Sequence, residues 1–248
     1  IPVYTTISIK NDESTREEIL SLNAEIYIVV AFGQILPKEI LVRPLYGCWN
    51  SHASLLPAWR GAAPIQWSII KGDFYTGVCI MSMEEGLDTG PVINQESIKI
   101  NNSDNLETIT DKLSEISGKL LVKSIEQISS TKGLNINEKL KELKATSQSL
   151  LGKETSYARQ INKDDYLINW ESDSTEIYNL VRGLYPNSYT IFKGKRIKIT
   201  KINILNTKSI ETDRDSTYNH KKIHYKNLEP GRIIDINKDN GILIMTND

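Results

Sequence analysis

The sequence predicts an α/β protein, with a first domain built on a buried parallel sheet and a smaller second domain of short antiparallel strands forming an open barrel. Three observations carry that reading. The runs Val29-Val30-Ala31-Phe32 and Val78-Cys79-Ile80-Met81 are continuously apolar, as strands covered on both faces are. Helical periodicities lie between and after them, the longest placing Leu106, Ile109, Leu113, Ile116, Leu120 and Ile125 on one face. After Tyr185-Pro186 the pattern turns to short alternating runs, and the charge balance changes sign.

Taken in order, residues 17–22 read as the end of a helix and 26–32 as the first buried strand. Pro37 opens a short helix to Leu41, Cys48–His52 is the next strand, and residues 54–61 are a loop. Residues 62–70 are helical with Ile65, Trp67 and Ile69 inward, Gly72-Asp73 ends that helix, and 77–82 return to strand. Residues 91–100 pair beyond the following loop, and Asp104 is expected to cap the long helix. Residues 131–173 show little periodicity and read as a linker. Ser174 is expected to cap a helix carrying Ile177, Leu180, Val181 and Leu184. Strands are expected at 189–192, 196–205, 232–236 and 242–245, with a polar excursion over 207–227. The predicted division is a catalytic domain over 1–130, a linker over 131–173, and a barrel over 174–248.

Composition narrows the class. With 39% apolar and 25% charged residues, the chain suits a water-exposed globular fold, and no run approaches the roughly 18 apolar residues of a membrane helix. Cys48 and Cys79 sit inside apolar strand runs, which favours buried reduced thiols and a reducing compartment over a disulfide. No spacing suggests a metal site, and His220 and His224 fall in the polar excursion and read as solvated. Residues 190–248 hold twelve Lys and Arg against seven Asp and Glu, a net of +5, which leaves −6 for the remainder of a chain whose total is −1. A positive tail on a negative body suits contact with nucleic-acid phosphates, and a solvated Lys-rich surface is the plainer alternative.

Chemistry concentrates in the run Gly47-Cys48-Trp49-Asn50-Ser51-His52-Ala53-Ser54-Leu55-Leu56-Pro57-Ala58-Trp59-Arg60-Gly61, answered by Gly86-Leu87-Asp88-Thr89-Gly90. Asn50 and His52 are two apart, so on a strand they leave the same face. In open α/β sheets ligands gather at the carboxyl ends of strands, and an amide, an imidazole and a carboxylate meeting there can run an acyl transfer. Singly, each residue has a structural use: a histidine hydrogen-bonded at a strand end, an asparagine capping one, an aspartate turning between glycines.

Together these motifs resemble the folate-dependent formyltransferases, whose signature is Asn-x-His-x-Ser-Leu-Leu-Pro followed by Asp in a Gly-x-Asp-x-Gly loop; here His52 and Asp88 are 36 residues apart. Within that superfamily, residues 60–66 (Arg-Gly-Ala-Ala-Pro-Ile-Gln), residues 83–90 (Met-Glu-Glu-Gly-Leu-Asp-Thr-Gly) and Tyr157-Ala158-Arg159-Gln160-Ile161 look like the methionyl-tRNA formyltransferases. The resemblance implies a Rossmann-like catalytic domain and a barrel of the oligonucleotide-binding kind. It implies transfer of the formyl group of 10-formyltetrahydrofolate to the amino group of methionyl-initiator tRNA in translation initiation. Formylation of another amine (a sugar nucleotide or glycinamide ribonucleotide) and formyltetrahydrofolate hydrolysis are the alternatives, and a noncatalytic RNA-binding role is the competing class.

Under that resemblance Asn50 and His52 stabilise the tetrahedral oxyanion and Asp88 assists proton transfer, while Ser54, Leu55, Leu56 and Pro57 contact the folate. Lys195, Arg196 and Lys198 are the expected tRNA phosphate contacts. Trp59 reads as core or as a ring-stacking residue, and Arg60 as a surface ion pair or an anion-steering group. A monomer in the cytoplasm, or in an organelle matrix, away from any membrane, completes the expectation. The chain opens on Ile1 without the family's first strand and stops at Asp248, so the resemblance implies a piece of a longer enzyme. Such a piece is expected to be inactive or nearly so, with an adhesive exposed sheet surface.

Overall fold

A computed structural model describes residues 3–130, 135–205, 228–238 and 241–248. The chain divides into two compact units, Ile1–Ser68 with Asp73–Gln160, and Ile69–Gly72 with Ile161–Asp248. The polar excursion over 207–227, with His220 and His224, lies outside the described residues.

The first unit opens with helix α1 (Glu13–Ser21), longer at its start than the sequence suggests because the Asp12 side chain accepts from Thr15 N and caps it. Strand β1 (Tyr27–Val30), helix α2 (Lys38–Val42) and strand β2 (Cys48–His52) follow. Next come the short strand β3 (Arg60–Gly61), helix α3 (Pro64–Ile70), and strands β4 (Tyr75–Ser82) and β5 (Val92–Lys99). One sheet holds them in the order β1-β2-β4-β5.

β1 pairs with β2 in parallel, whereas β4 runs antiparallel to β2 and β5 antiparallel to β4. The Val78–Met81 run therefore corrects one expectation: it is a buried strand, but an antiparallel one. All residues of β4 after Tyr75 are buried, and a strand buried on both faces is apolar whichever way its neighbours run. β1 lies at the end of that order and alternates half-buried with exposed residues, leaving Ile28 and Val30 at 40% and 53% exposure.

Helix α4 (Leu106–Ser130) buries Ile109, Leu113 and Leu120 of its predicted face, but Ile125, five residues beyond Leu120 and so turned off that face, is 38% exposed, and Ile128 is buried instead. Its start is bonded differently from the expectation. Asn105 accepts from Thr108 N, while Asp104 accepts from Asn101 N and pairs with Lys112, so Asp104 braces the turn before the helix. Among the described residues, the interior includes a cluster of Ile9, Leu36, Ile40, Leu41 and Cys48 and another of Leu56, Cys79, Met81 and Val92. The stretch read as a linker holds helix α5 (Ile136–Glu142), a 3-10 turn (Gln148–Leu150) and strand β6 (Tyr157–Ala158), which pairs in parallel with β3.

In the second unit, helix α6 (Ser174–Gly183) packs Ile177 and Val181 with Ile168, and Trp170, Leu180, Ile199 and Ile202 lie against them. Asp173 is the N-cap position, and Ser174 instead gives its N–H and hydroxyl to the Asp248 carboxylate. Strands β7 (Tyr189–Phe192) and β8 (Lys195–Lys198) form one hairpin, and β9 (Ile233–Asn237) and β10 (Gly241–Ile244) another. β8 is shorter than the run of alternation, because Ile199 and Ile202 join the α6 cluster rather than a ladder. Among the described residues, no helix is long and apolar enough to cross a membrane.

Candidate active site

The site forms where β2 ends. Alternation along Cys48–His52 sends Asn50 and His52 to one face and Ser51 to the other, where its hydroxyl meets that of Ser117 on α4 at 2.7 Å. Across the ladder, Asn50 lies opposite Met81 and His52 opposite Cys79. The chain leaving β4 then turns back and delivers Asp88, held at φ +50 in the left-handed region, onto that face.

The Asp88 carboxylate is the hub. Its Oδ1 accepts from Asn50 Nδ2 at 3.5 Å, and its Oδ2 accepts from Gly61 N at 2.8 Å. The same Oδ2 lies 3.7 Å from His52 Nδ1, with both side chains largely covered, at 6% exposure for His52 and 13% for Asp88. His52 Nε2 sits 2.9 Å from the Trp59 carbonyl, which only accepts, so that nitrogen carries a proton. Nδ1 is then the nitrogen turned to the carboxylate. The second N–H of Asn50 has no hydrogen-bond partner among the described residues, which leaves one amide donor unused at the strand end.

The Ser54–Pro57 loop is placed beside this face in a particular way. The Ser54 hydroxyl donates to the Ala58 carbonyl at 2.6 Å, Leu56 is fully buried in the core, and Pro57 is buried as well. Leu55 alone of the four keeps part of its side chain exposed. A ligand beside the loop therefore meets Leu55 and backbone groups.

Several residues around the site make contacts that the sequence did not indicate. Trp59, at φ +61, gives its carbonyl to His52, its N–H to the Ser156 hydroxyl at 2.9 Å and its indole N–H to Asp73 at 2.6 Å. Arg60 makes no surface ion pair among the described residues: its guanidinium bonds Gln148 Oε1 through Nε at 3.0 Å and Nη2 at 2.7 Å. Gln148 in turn donates to the carbonyls of Asp88 and Gly90, both at 2.8 Å. Gln148 and Ser156 stand in a stretch without periodicity, where a polar residue reads as solvated. The Tyr157-Ala158 motif was the available clue, because its pairing with β3 is what brings that stretch back to the site.

Elsewhere, the Lys195, Arg196 and Lys198 side chains are all exposed on β8. Alternation puts Arg196 and Lys198 on one face of the hairpin and Lys195 on the other. The Arg196 guanidinium stacks on Tyr189, 3.8 Å from the ring centre. Cys48 and Cys79 are free and buried, and burial pushes their thiols up to about 12 and about 11. A cavity of about 360 Å³ lies along β1, lined by Ile9, Tyr27, Val29, Leu36 and neighbouring apolar residues. Its lining holds none of Asn50, His52 and Asp88, so the polar cluster lies outside this cavity.

Residues 5–125 match the family described as formyl transferase, and residues 160–248 match the formyl transferase C-terminal domain. The chain is 58% identical over 248 residues to the methionyl-tRNA formyltransferase of Prochlorococcus marinus strain NATL2A, covering all of this chain and 73% of that protein. It is 47% identical over 246 residues to the enzyme of the same name from strain MIT 9215, covering 99% of this chain and 72% of the relative. Among solved structures, a 4-N formyltransferase from Francisella tularensis superposes with a TM-score of 0.62 at 23% identity, covering 79% of this chain and 76% of that one. HypX from Aquifex aeolicus in complex with tetrahydrofolic acid gives a TM-score of 0.62 at 16% identity, over 93% of this chain and 35% of that one. At those identities the structural matches speak for the fold.

Proposed function

This chain belongs to the methionyl-tRNA formyltransferases of the formyl transferase family, and we propose that its Asn50–His52–Asp88 cluster carries the transfer of a formyl group onto the amino group of methionyl-initiator tRNA. The observation that supports this most is the convergence of two side chains from a strand end, Asn50 and His52, on the largely covered carboxylate of Asp88 from a distant loop. The donor is 10-formyltetrahydrofolate, which supplies the formyl group. The residues suit such a donor: the free N–H of Asn50 matches a formyl oxygen, and half-covered Leu55 offers an apolar edge to a ring.

The chemistry asked of the chain is then definite. As the amine attacks, charge collects on the formyl oxygen, and the fixed Asn50 N–H meets it without reorganisation; one such donor lowers a barrier by roughly 3–4 kcal/mol. The amine must shed a proton as its bond to carbon forms. The Asp88 carboxylate, oriented by Gly61 N, takes that proton directly or through a water; the tetrahedral adduct then collapses by breaking the bond between the formyl carbon and the folate nitrogen, which leaves as tetrahydrofolate and takes up the proton the amine shed. His52, anchored at Nε2 by the Trp59 carbonyl, turns Nδ1 toward Asp88; a proton there places positive charge beside the developing oxyanion. No covalent intermediate on the protein is required, because a neutral amine is itself a competent nucleophile.

The second unit supplies tRNA contact in this reading, through phosphates and without base readout, with Lys195, Arg196 and Lys198 exposed for it. The division into a catalytic part over 1–130, a connecting part over 131–173 and a barrel over 174–248 belongs to the same proposal. So do a cytoplasmic setting, supported by two free buried cysteines, and a monomeric enzyme with no membrane association. The deciding experiment offers the intact protein 10-formyltetrahydrofolate with methionyl-tRNA, a sugar nucleotide amine, glycinamide ribonucleotide, or water alone. Formylation of methionyl-tRNA in preference to the others is expected. Turnover of the donor with equal efficiency on another amine or on water would sink the assignment.

A further inference from the structure

We propose that Gln148 is the positioning residue that holds Asp88 against Asn50 and His52. The inference rests on the reading of Asp88 as the proton acceptor. Gln148 lies about sixty residues further along the chain, on a 3-10 turn with no titratable group of its own, and is only 3% exposed. Yet its carboxamide is fully used. Both N–H donors go to the loop, one to the Asp88 carbonyl and one to the Gly90 carbonyl, each at 2.8 Å. The oxygen accepts two bonds from the Arg60 guanidinium, at 3.0 and 2.7 Å.

The partners fix the orientation of that amide. Turned over, it would face two carbonyls with its oxygen and a cation with its NH₂. The bonds also close a ring. Arg60 is followed by Gly61, whose N–H holds Asp88 Oδ2, so Gln148 ties together the strand that grips the carboxylate and the loop that bears it.

The tie matters because Asp88 sits in a backbone conformation that costs a residue with a Cβ roughly 1–2 kcal/mol, and loops relax when released. Its contacts to Asn50 and His52, at 3.5 and 3.7 Å, are long enough that a further slip ends them. Asn135, Thr146 and Ser156 are neighbouring polar residues of the same stretch, but none of them bonds both carbonyls of the Asp88 loop. Gln148 touches no reacting atom in this arrangement. Its effect reaches the reaction through Asp88.

Two substitutions in the intact protein test this. Gln148→Glu keeps a partner for Arg60 but sets oxygens against the Asp88 and Gly90 carbonyls, and Gln148→Met keeps the volume and loses all four bonds. Both are expected to lower kcat for methionyl-tRNA formylation about 100-fold, the usual effect of a displacement near 1 Å, with KM for donor and tRNA within about threefold. The pH profile of kcat should move as well, since the carboxylate no longer faces His52. Loss of stability with kcat and pH profile unchanged in the folded fraction would overturn the proposal, as would failure of both variants to fold, which would make Gln148 a structural residue. A complete enzyme with Gln148 unaltered that formylates nothing would overturn the functional reading itself, and the role of Gln148 in that reaction with it.

Discussion

Replacing Gly61 by Ala isolates how the site is held, because one methyl group attacks two features at once. Gly61 lies at φ +119, where a side chain costs roughly 1–3 kcal/mol. An added Cβ would stand 2.7 Å from the Ala158 carbonyl oxygen, whereas carbon–oxygen contacts settle at about 3.3–3.6 Å. β3 and β6 must therefore part by roughly 0.6–0.9 Å. Gly61 N is also the tightest partner of Asp88 Oδ2, at 2.8 Å, and a hydrogen bond to a charged group contributes about 1.5–3 kcal/mol.

Allowing partial relaxation, Gly61→Ala should destabilise the first unit by about 2–5 kcal/mol, a fall in Tm of roughly 4–20 °C. Well below that Tm, kcat should fall about 100-fold because the carboxylate moves by most of an ångström. The assay is formylation at saturating donor and methionyl-tRNA, run beside thermal unfolding. Gly118→Ala is the control: it sits within α4 with nothing within 4 Å of the added methyl, and should leave Tm unchanged or raise it by a few degrees. If Gly61→Ala keeps kcat within threefold at an unchanged Tm, the closure of β3 on β6 does not set the carboxylate, and the geometric reasoning fails.

Further outcomes follow from the same geometry. Asn50→Ala should lower turnover by about 10²–10³ while donor affinity changes far less, because the amide acts where charge develops; a parallel loss of affinity would make it a ground-state ligand. Reversing Arg196 and Lys198 to Glu together should weaken tRNA binding and flatten its salt dependence more than reversing Lys195 alone, since the first two share a face; titrations at several salt concentrations decide it. Both cysteines should resist a thiol reagent at pH 8 until the protein unfolds, as their thiols are pushed up to about 12 and about 11. Their raised folded values also fix a sign. Unfolded thiols ionise near about 8.5, so the stability they lend is complete below that pH and drains away as pH climbs toward the folded values. Denaturant midpoints that rise between pH 9 and 11 would contradict it.

Much of this was legible in the residues. Asn50 and His52 had to share a face once Cys48–His52 was a strand, because alternation is a property of the backbone and needs no tertiary partner. The face of α4 was likewise written in the spacing of Ile109, Leu113 and Leu120. The direction of β4 was not, because a strand buried on both faces is equally apolar in a parallel or an antiparallel neighbourhood. Arg60 could not be read either, since a guanidinium looks the same whether it faces solvent or a buried amide 88 residues away. The Asn-x-His pair and the Asp loop thus named the chemistry from local sequence alone. Only the folded chain decided what holds Asp88 at its post, because Gln148, Gly61 and the Trp59 carbonyl act through distances that no spacing along the chain encodes.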